Sequence, residues 1–111
     1  MDAATRKWKR IKVDIRVKMR RSDAPEASSS VVRTYELSVG GMSVYASEML
    51  AVGDVVRAEL SLPSVAKRFE VTAVVRNRRG FRHGMEFVDL AESVRGEIER
   101  YLTMEAGVVK I

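Results

Sequence analysis

Residues 11–20 read IKVDIRVKMR, a stretch in which apolar and polar side chains alternate without interruption. The apolar members are Ile11, Val13, Ile15, Val17 and Met19. Successive side chains of a β-strand point to opposite faces, so this alternation predicts a strand with one face buried and the other in solvent.

Five more segments carry strand signals downstream. They span residues 31–37, 42–46, 56–62, 69–75 and 81–88. Residues 21–30, with Pro25 and several serines, indicate an exposed loop, and 77–80 indicate a turn. Between the second and third strands, Gly40 and Gly41 predict a tight reversal, since glycine accepts the positive φ that hairpin turns demand.

From Ala91 the apolar period changes to that of a helix, with Val94, Ile98, Tyr101 and Leu102 on one side. Six short, closely spaced strands favour an antiparallel barrel, because closure removes exposed sheet edges. The chain is therefore expected to be all-β with a terminal helix, a six-stranded β-barrel capped by a C-terminal α-helix. Its 111 residues suffice for one core. We expect a basic flexible arm at 1–10, the barrel and helix at 11–106, and a tail at 107–111.

Positive charge is concentrated at the start of the chain. Residues 1–21 hold nine Lys or Arg against two Asp, a net charge of +7, whereas the remaining ninety residues carry eleven basic and thirteen acidic side chains, a net charge of −2. This asymmetry favours an anionic partner at the arm and first strand. A basic face that serves only solubility is the alternative from charge alone.

Several classes of function find no support in the composition. The chain has no cysteine and one histidine, His83, which excludes thiolate or multi-histidine metal sites and disulfides. No nucleophile motif, Walker loop or acidic metal-binding loop is present, so we expect no enzyme and no cofactor. No apolar run is long enough to span a bilayer and no secretory leader is evident, so a cytoplasmic location is expected.

Two short patterns carry the functional information: Arg6-x-x-x-Arg10 in the basic leader, and Glu36-x-Ser38-x-x-Gly41. Together they resemble the signature of PilZ domains, bacterial receptors for the second messenger cyclic di-GMP. The order of the predicted elements is similar to that family through nearly the whole chain. The family pattern has Asp or Asn at the position of Glu36.

The resemblance implies a cyclic di-GMP site formed by Arg6, Arg10, Glu36, Ser38 and Gly41. Guanidinium groups can form bidentate bonds with phosphate and stack on purines. A carboxylate can accept from a guanine edge, and glycine allows close approach of the backbone. The alternative for the second motif is an ordinary hairpin in which Ser38 bonds its own backbone.

A second Arg-x-x-x-Arg copy, Arg16 to Arg20, lies in the predicted strand. Four strand residues span about 13 Å, too far to share one small phosphate, so this pair is interpreted as a solvated face.

The expected function is thus a cyclic di-GMP receptor that changes conformation on binding and signals to an unidentified downstream protein. Two alternatives remain. One is a PilZ-like adaptor that does not bind the nucleotide, because Glu36 replaces the usual residue. The other, disfavoured, is a small basic barrel that binds nucleic acid, which usually requires exposed aromatic platforms. Only 6% of the residues are aromatic, and Phe69 and Phe87 fall in the apolar phase of their strands.

Overall fold

The computed structural model describes residues 10–48, 50–63 and 68–105, so Arg6 and all of the predicted arm except Arg10 lie outside the described residues, as does the tail at 107–111. The strands are β1 (Ile11–Arg21), β2 (Ser30–Leu37), β3 (Gly41–Tyr45), β4 (Val55–Ser61), β5 (Arg68–Arg79) and β6 (Arg82–Val88). One helix, α1 (Glu92–Glu105), follows them, and a 3-10 turn at Glu26–Ser28 lies in the loop between β1 and β2.

The six strands form a closed antiparallel barrel in the order β1-β2-β3-β6-β5-β4. Four of the six pairings join strands that follow one another in the chain. The other two, β1 with β4 and β3 with β6, join strands far apart in sequence and close the barrel. The predicted fold, an all-β barrel with a terminal helix, is confirmed.

The barrel interior is filled by the apolar phase of each strand. Ile15, Val17 and Met19 of β1 are buried, as the alternation predicts. Ile98, Tyr101 and Leu102 of α1 join the same core, so the apolar side of the helix packs on the barrel. Within the described residues, no helix has the length and apolar character needed to cross a membrane.

Strand β5 extends four residues beyond its predicted end at Val75. The register of β5 with β6 shifts between Val75 and Asn77, and pairing then continues to Arg79 opposite Arg82. A bulge of this kind places two successive residues on the same face, which ends the apolar-polar alternation without ending the strand. The turn itself lies at Gly80, whose φ is 62°.

His83 is a fully buried strand residue whose two ring nitrogens are both used. Nε2 accepts a hydrogen bond from the backbone N–H of Leu50 at 3.1 Å, and Nδ1 lies 3.0 Å from the carbonyl oxygen of Phe81. Because Nε2 accepts, Nδ1 carries the proton and donates to Phe81. The imidazole therefore ties the loop before β4 to the start of β6.

Gly41 is required where β3 approaches β6, but for a different reason from the predicted one. The positive φ angles of the described glycines occur at Gly53 and Gly80, not in the turn at Gly40 and Gly41, so that part of the turn prediction was wrong. A Cβ at Gly41 would lie 2.1 Å from the backbone carbonyl oxygen of Met85. The absence of a side chain permits the close pairing of the two strands.

Three glycine-to-alanine variants test this steric role by urea unfolding. Gly41→Ala forces backbone apart and should lower the free energy of unfolding by about 2 kcal/mol or more. Gly84→Ala, whose Cβ would meet the movable Asn77 amide at 2.6 Å, should cost less. Gly96→Ala, in open space on α1, should raise stability by about 0.5–1 kcal/mol. Equal stability of the Gly41 and Gly96 variants would contradict the steric argument.

Candidate functional site

A bulge in β2 brings Glu36 to the outer surface of the barrel. Val32 and Thr34 point inward and are buried, whereas Tyr35 and Glu36 are both partly exposed before Leu37 returns to the core. The register of β2 with β3 shifts between Thr34 and Glu36. An extra residue therefore re-aims the Glu36 carboxylate, as bulges next to binding sites commonly do.

Arg10 and Glu36, one from each predicted motif, form an ion pair. Nη1 of Arg10 lies 3.3 Å from Oε1 of Glu36, with 42% and 28% of the two side chains exposed. Arg10 immediately precedes β1, and Lys12 of that strand is the cross-strand partner of Glu36. A partly exposed pair of this kind contributes only about 0–1 kcal/mol. The guanidinium is thus held near the end of β2 by a contact that a stronger ligand could replace.

Ser38 organises the turn between β2 and β3. Its Oγ accepts hydrogen bonds from the backbone N–H groups of Gly40 and Gly41, each at 3.1 Å, and donates to the carbonyl oxygen of Gly41 at 3.3 Å. A hydroxyl has one donor and two acceptor positions, so its bonding capacity is already used. The structure thus matches the hairpin interpretation, in which Ser38 bonds its own backbone. For Ser38 to contact a ligand, its hydroxyl would have to give up one of these backbone hydrogen bonds.

The β5 bulge presents Arg76 and Asn77 on the same outer surface of the barrel. Nε of Arg76 donates to Oε1 of Glu86 on β6 at 2.7 Å. The Asn77 amide lies over Gly84, since a Cβ there would come within 2.6 Å of its oxygen. Two strands of the barrel therefore display a second arginine–glutamate pair facing the first.

Between the two pairs lies a groove with a volume of about 460 Å³. Along β3 and β6 it is lined by small residues, Gly41, Ser43 and Gly84, which leave the backbone accessible. The other lining residues are Arg10, Glu36, Leu37, Ser38, Gly40, Met42, Arg76, Asn77, Met85 and Glu86.

The groove unites four of the five residues expected from the sequence: Arg10, Glu36, Ser38 and Gly41. Arg6 lies outside the described residues. The second Arg-x-x-x-Arg copy does not contribute, because Nη1 of Arg20 donates to the carbonyl oxygen of Ala24 at 2.8 Å and Arg16 is exposed on β1.

Sequence reasoning missed Arg76, Asn77 and Glu86. Arg76 lies between the predicted end of the fifth strand at Val75 and the predicted turn at 77–80, and it borders the groove. The one local signal was two polar residues in succession after Val75, which is typical of a bulge but also of a turn. Among the residues that the structure covers, no cluster of His, Cys, Asp and Glu suits a metal ion.

The groove can bind an anion with hydrogen-bonding edges. Its two guanidiniums supply planar, bidentate donors, and its two carboxylates supply acceptors. In each pair the positive charge of the arginine is compensated by the negative charge of the glutamate. An anionic ligand is therefore bound when it replaces a glutamate as the partner of an arginine, and no uncompensated positive charge among the described lining residues attracts it to the groove.

Comparison with known proteins points to one family. The model of the PilZ domain family matches residues 4–104. No curated protein sequence matched the chain.

Solved structures with the same fold include the Inhibitor of motility of Bacillus subtilis (MotI/DgrA), which is 17% identical with a TM-score of 0.72 over 91% of this chain and 51% of that one. The PilZ domain of YcgR from Escherichia coli, determined with c-di-GMP, is 17% identical with a TM-score of 0.69 over 95% of this chain and 99% of that one. YcgR from the same organism in complex with c-di-GMP is 20% identical with a TM-score of 0.71, over 93% and 46%.

The chain thus spans about half the length of MotI and of YcgR, and matches the isolated YcgR domain almost throughout. Since the family model also covers nearly all of the barrel and helix, the chain belongs to the PilZ domain family.

Proposed function

We propose that this protein is a receptor for cyclic di-GMP that binds the nucleotide in the groove and signals to another protein. The observation that carries the proposal is that Arg10, Glu36, Ser38 and Gly41, from two motifs separated in sequence, line one groove. The likeness to the YcgR domain determined with c-di-GMP supports the same ligand. The proposed receptor is not an enzyme, and we assign it to the bacterial cytoplasm.

The ligand and the groove are chemically complementary. Cyclic di-GMP offers two phosphates and two guanines. In the proposed complex, Arg10 forms a charge-assisted bond to a phosphate or stacks on a guanine, with Arg6 as the second arginine of the motif. Glu36 accepts from the N1 and N2 hydrogens of a guanine, and the backbone at Gly41 allows close approach. Arg76 supplies a further cation on the facing side.

Binding requires that ion-pair partners be exchanged. Arg10 is paired with Glu36, and Arg76 with Glu86. Each pair is partly exposed and worth only about 0–1 kcal/mol. A bidentate phosphate is a stronger partner for a guanidinium than an exposed carboxylate, so displacement is favourable, and it frees Glu36 for a guanine edge.

The second candidate function is an adaptor that binds protein but not nucleotide. The Arg10–Glu36 pair is the observation that favours it, since a carboxylate one methylene longer than the family's Asp reaches and neutralises the arginine.

Calorimetric titration separates the two candidates. The receptor should bind cyclic di-GMP in the micromolar range, about −8 kcal/mol, and should not bind GTP, which has one guanine and a different phosphate geometry. The control is an oligonucleotide of matched charge. Folded protein that shows neither heat nor NMR shifts at several hundred micromolar cyclic di-GMP would establish the adaptor instead.

Arginine substitutions test the assignment of the arm. Arg10→Ala should weaken binding by about 10- to 150-fold, equivalent to about 1.5–3 kcal/mol, because a charge-assisted bond to the ligand is lost. The matched control is Arg16→Ala, which removes the same charge from the exposed face of β1 and should alter affinity by less than twofold. Equal losses in both variants would indicate a diffuse electrostatic surface rather than a site.

Glu36 has two opposing roles in the proposal, as a guanine acceptor and as a competitor for Arg10. Glu36→Ala should weaken binding by about 5- to 150-fold, about 1–3 kcal/mol, because the guanine donors lose their acceptor. Glu36→Asp should retain or improve affinity, and thermal melts of both variants should remain close to the parent protein. Tighter binding by the Ala variant would show that Glu36 only masks Arg10.

A further inference from the structure

Beside the groove, the outer surface of the barrel carries two stacked tyrosines. Tyr35 reaches this surface through the β2 bulge, and Tyr45 is the last residue of β3. Their ring centroids lie 4.5 Å apart with an angle of 34° between the planes. Tyr45 is 44% exposed, which is a large aromatic area to leave in water.

Arg82 at the start of β6 completes this cluster. Its guanidinium carbon lies 5.9 Å from the Tyr35 centroid and 5.7 Å from that of Tyr45, within the range of cation–π attraction. Lys12 of β1 borders the same depression, which is distinct from the groove and shares only Glu36 with it.

The two cations of this cluster differ from those around them. Arg10, Arg33 and Arg76 each pair with a carboxylate. Within 10–48, 50–63 and 68–105, neither Lys12 nor Arg82 forms an ion pair. A guanidinium that is held over aromatic rings and still has free N–H edges is pre-organised for an incoming carboxylate, so little rotamer entropy is lost on binding.

The chemistry of the cluster favours a protein partner over a nucleic acid. Tyrosine and arginine together are the residue types that dominate protein–protein binding energy. The two tyrosine rings contact each other and Arg82, so only the exposed part of Tyr45 is available for a nucleobase to stack on. A carboxylate needs only the free edges of Arg82 and the ammonium of Lys12.

We propose that Lys12, Tyr35, Tyr45 and Arg82 form a docking surface for an acidic protein segment. Carboxylates of the segment pair with Lys12 and Arg82, and its apolar side chains cover the exposed ring of Tyr45. The proposal goes beyond nucleotide binding and does not depend on it.

The test titrates the full chain with a blocked ten-residue peptide of alternating glutamate and leucine and monitors binding by the amide NMR shifts of the protein. Shifts should concentrate at Lys12, Tyr35, Tyr45 and Arg82, with a Kd of about 0.1–1 mM. The same peptide with lysine in place of glutamate should not bind, and oligothymidylate of ten nucleotides should bind elsewhere or not at all.

Variants separate a built surface from general charge. Arg82→Ala should raise the Kd at least fivefold. The matched control is Lys18→Ala, on the exposed face of the same barrel about 20 Å along β1 from Lys12, which should raise it less than twofold. Tyr45→Ala, which changes no charge, should raise it at least threefold because the platform beneath Arg82 is lost.

Provided that the amide spectrum shows folded protein, any one of three results would overturn the proposal. They are no shifts at 2 mM peptide, equal losses in the Lys18 and Arg82 variants, and an oligonucleotide that binds more tightly than the peptide through Tyr45. Because no arm of the experiment contains cyclic di-GMP, failure here and failure of the proposed receptor are observed independently.

Discussion

The pairing of β3 with β6 is the contact on which both the barrel and its groove depend. These strands are separated by β4 and β5 in sequence, and their hydrogen bonds close the sheet. Gly41 makes the pairing possible because a side chain there would overlap the carbonyl of Met85. The same absence of side chains exposes backbone along the groove. Closure of the fold and access for a ligand therefore have one steric cause.

Bulges convert the regular barrel into a surface with a site. A strand that alternates strictly presents every second residue outward, and neighbours along the chain cannot face the same ligand. The shifts at Thr34/Glu36 and at Val75/Asn77 each place two successive side chains on the outer face. One pair of residues, Tyr35 and Glu36, thereby serves two adjacent surfaces. The polar and aromatic side chains that can bind a ligand or a partner are therefore concentrated at the bulges, where the strict alternation of the strands is interrupted.

This departure also explains what the sequence could and could not predict. Alternation and the turn signals between the segments together predicted all six strands, and alternation predicted the inward residues of β1, since period two is the property that a buried face imposes. Alternation failed at the end of β5, where the bulge after Val75 resembled a turn, so Arg76 was not predicted to lie at the site. The resemblance to PilZ domains implied a site that includes Arg10 and Glu36, and both line the groove. The backbone bonds of the Ser38 hydroxyl agree with the hairpin alternative. The direct ion pair between Arg10 and Glu36 depends on backbone geometry that no local pattern encodes.

Glu36 lines both the groove and the proposed docking surface, so its negative charge acts on ligands at both. Paired with Arg10, its carboxylate is largely neutralised. A ligand that takes Arg10 without engaging Glu36 would leave that carboxylate beside Lys12, its cross-strand partner, and would lower the attraction of Lys12 for an acidic segment. A ligand that binds Glu36 directly would leave Lys12 unchanged. Coupling between two binding sites is reciprocal. If nucleotide and acidic segment weaken each other's binding, Glu36 is left without a ligand group in the nucleotide complex; if they do not affect each other, Glu36 contacts the nucleotide.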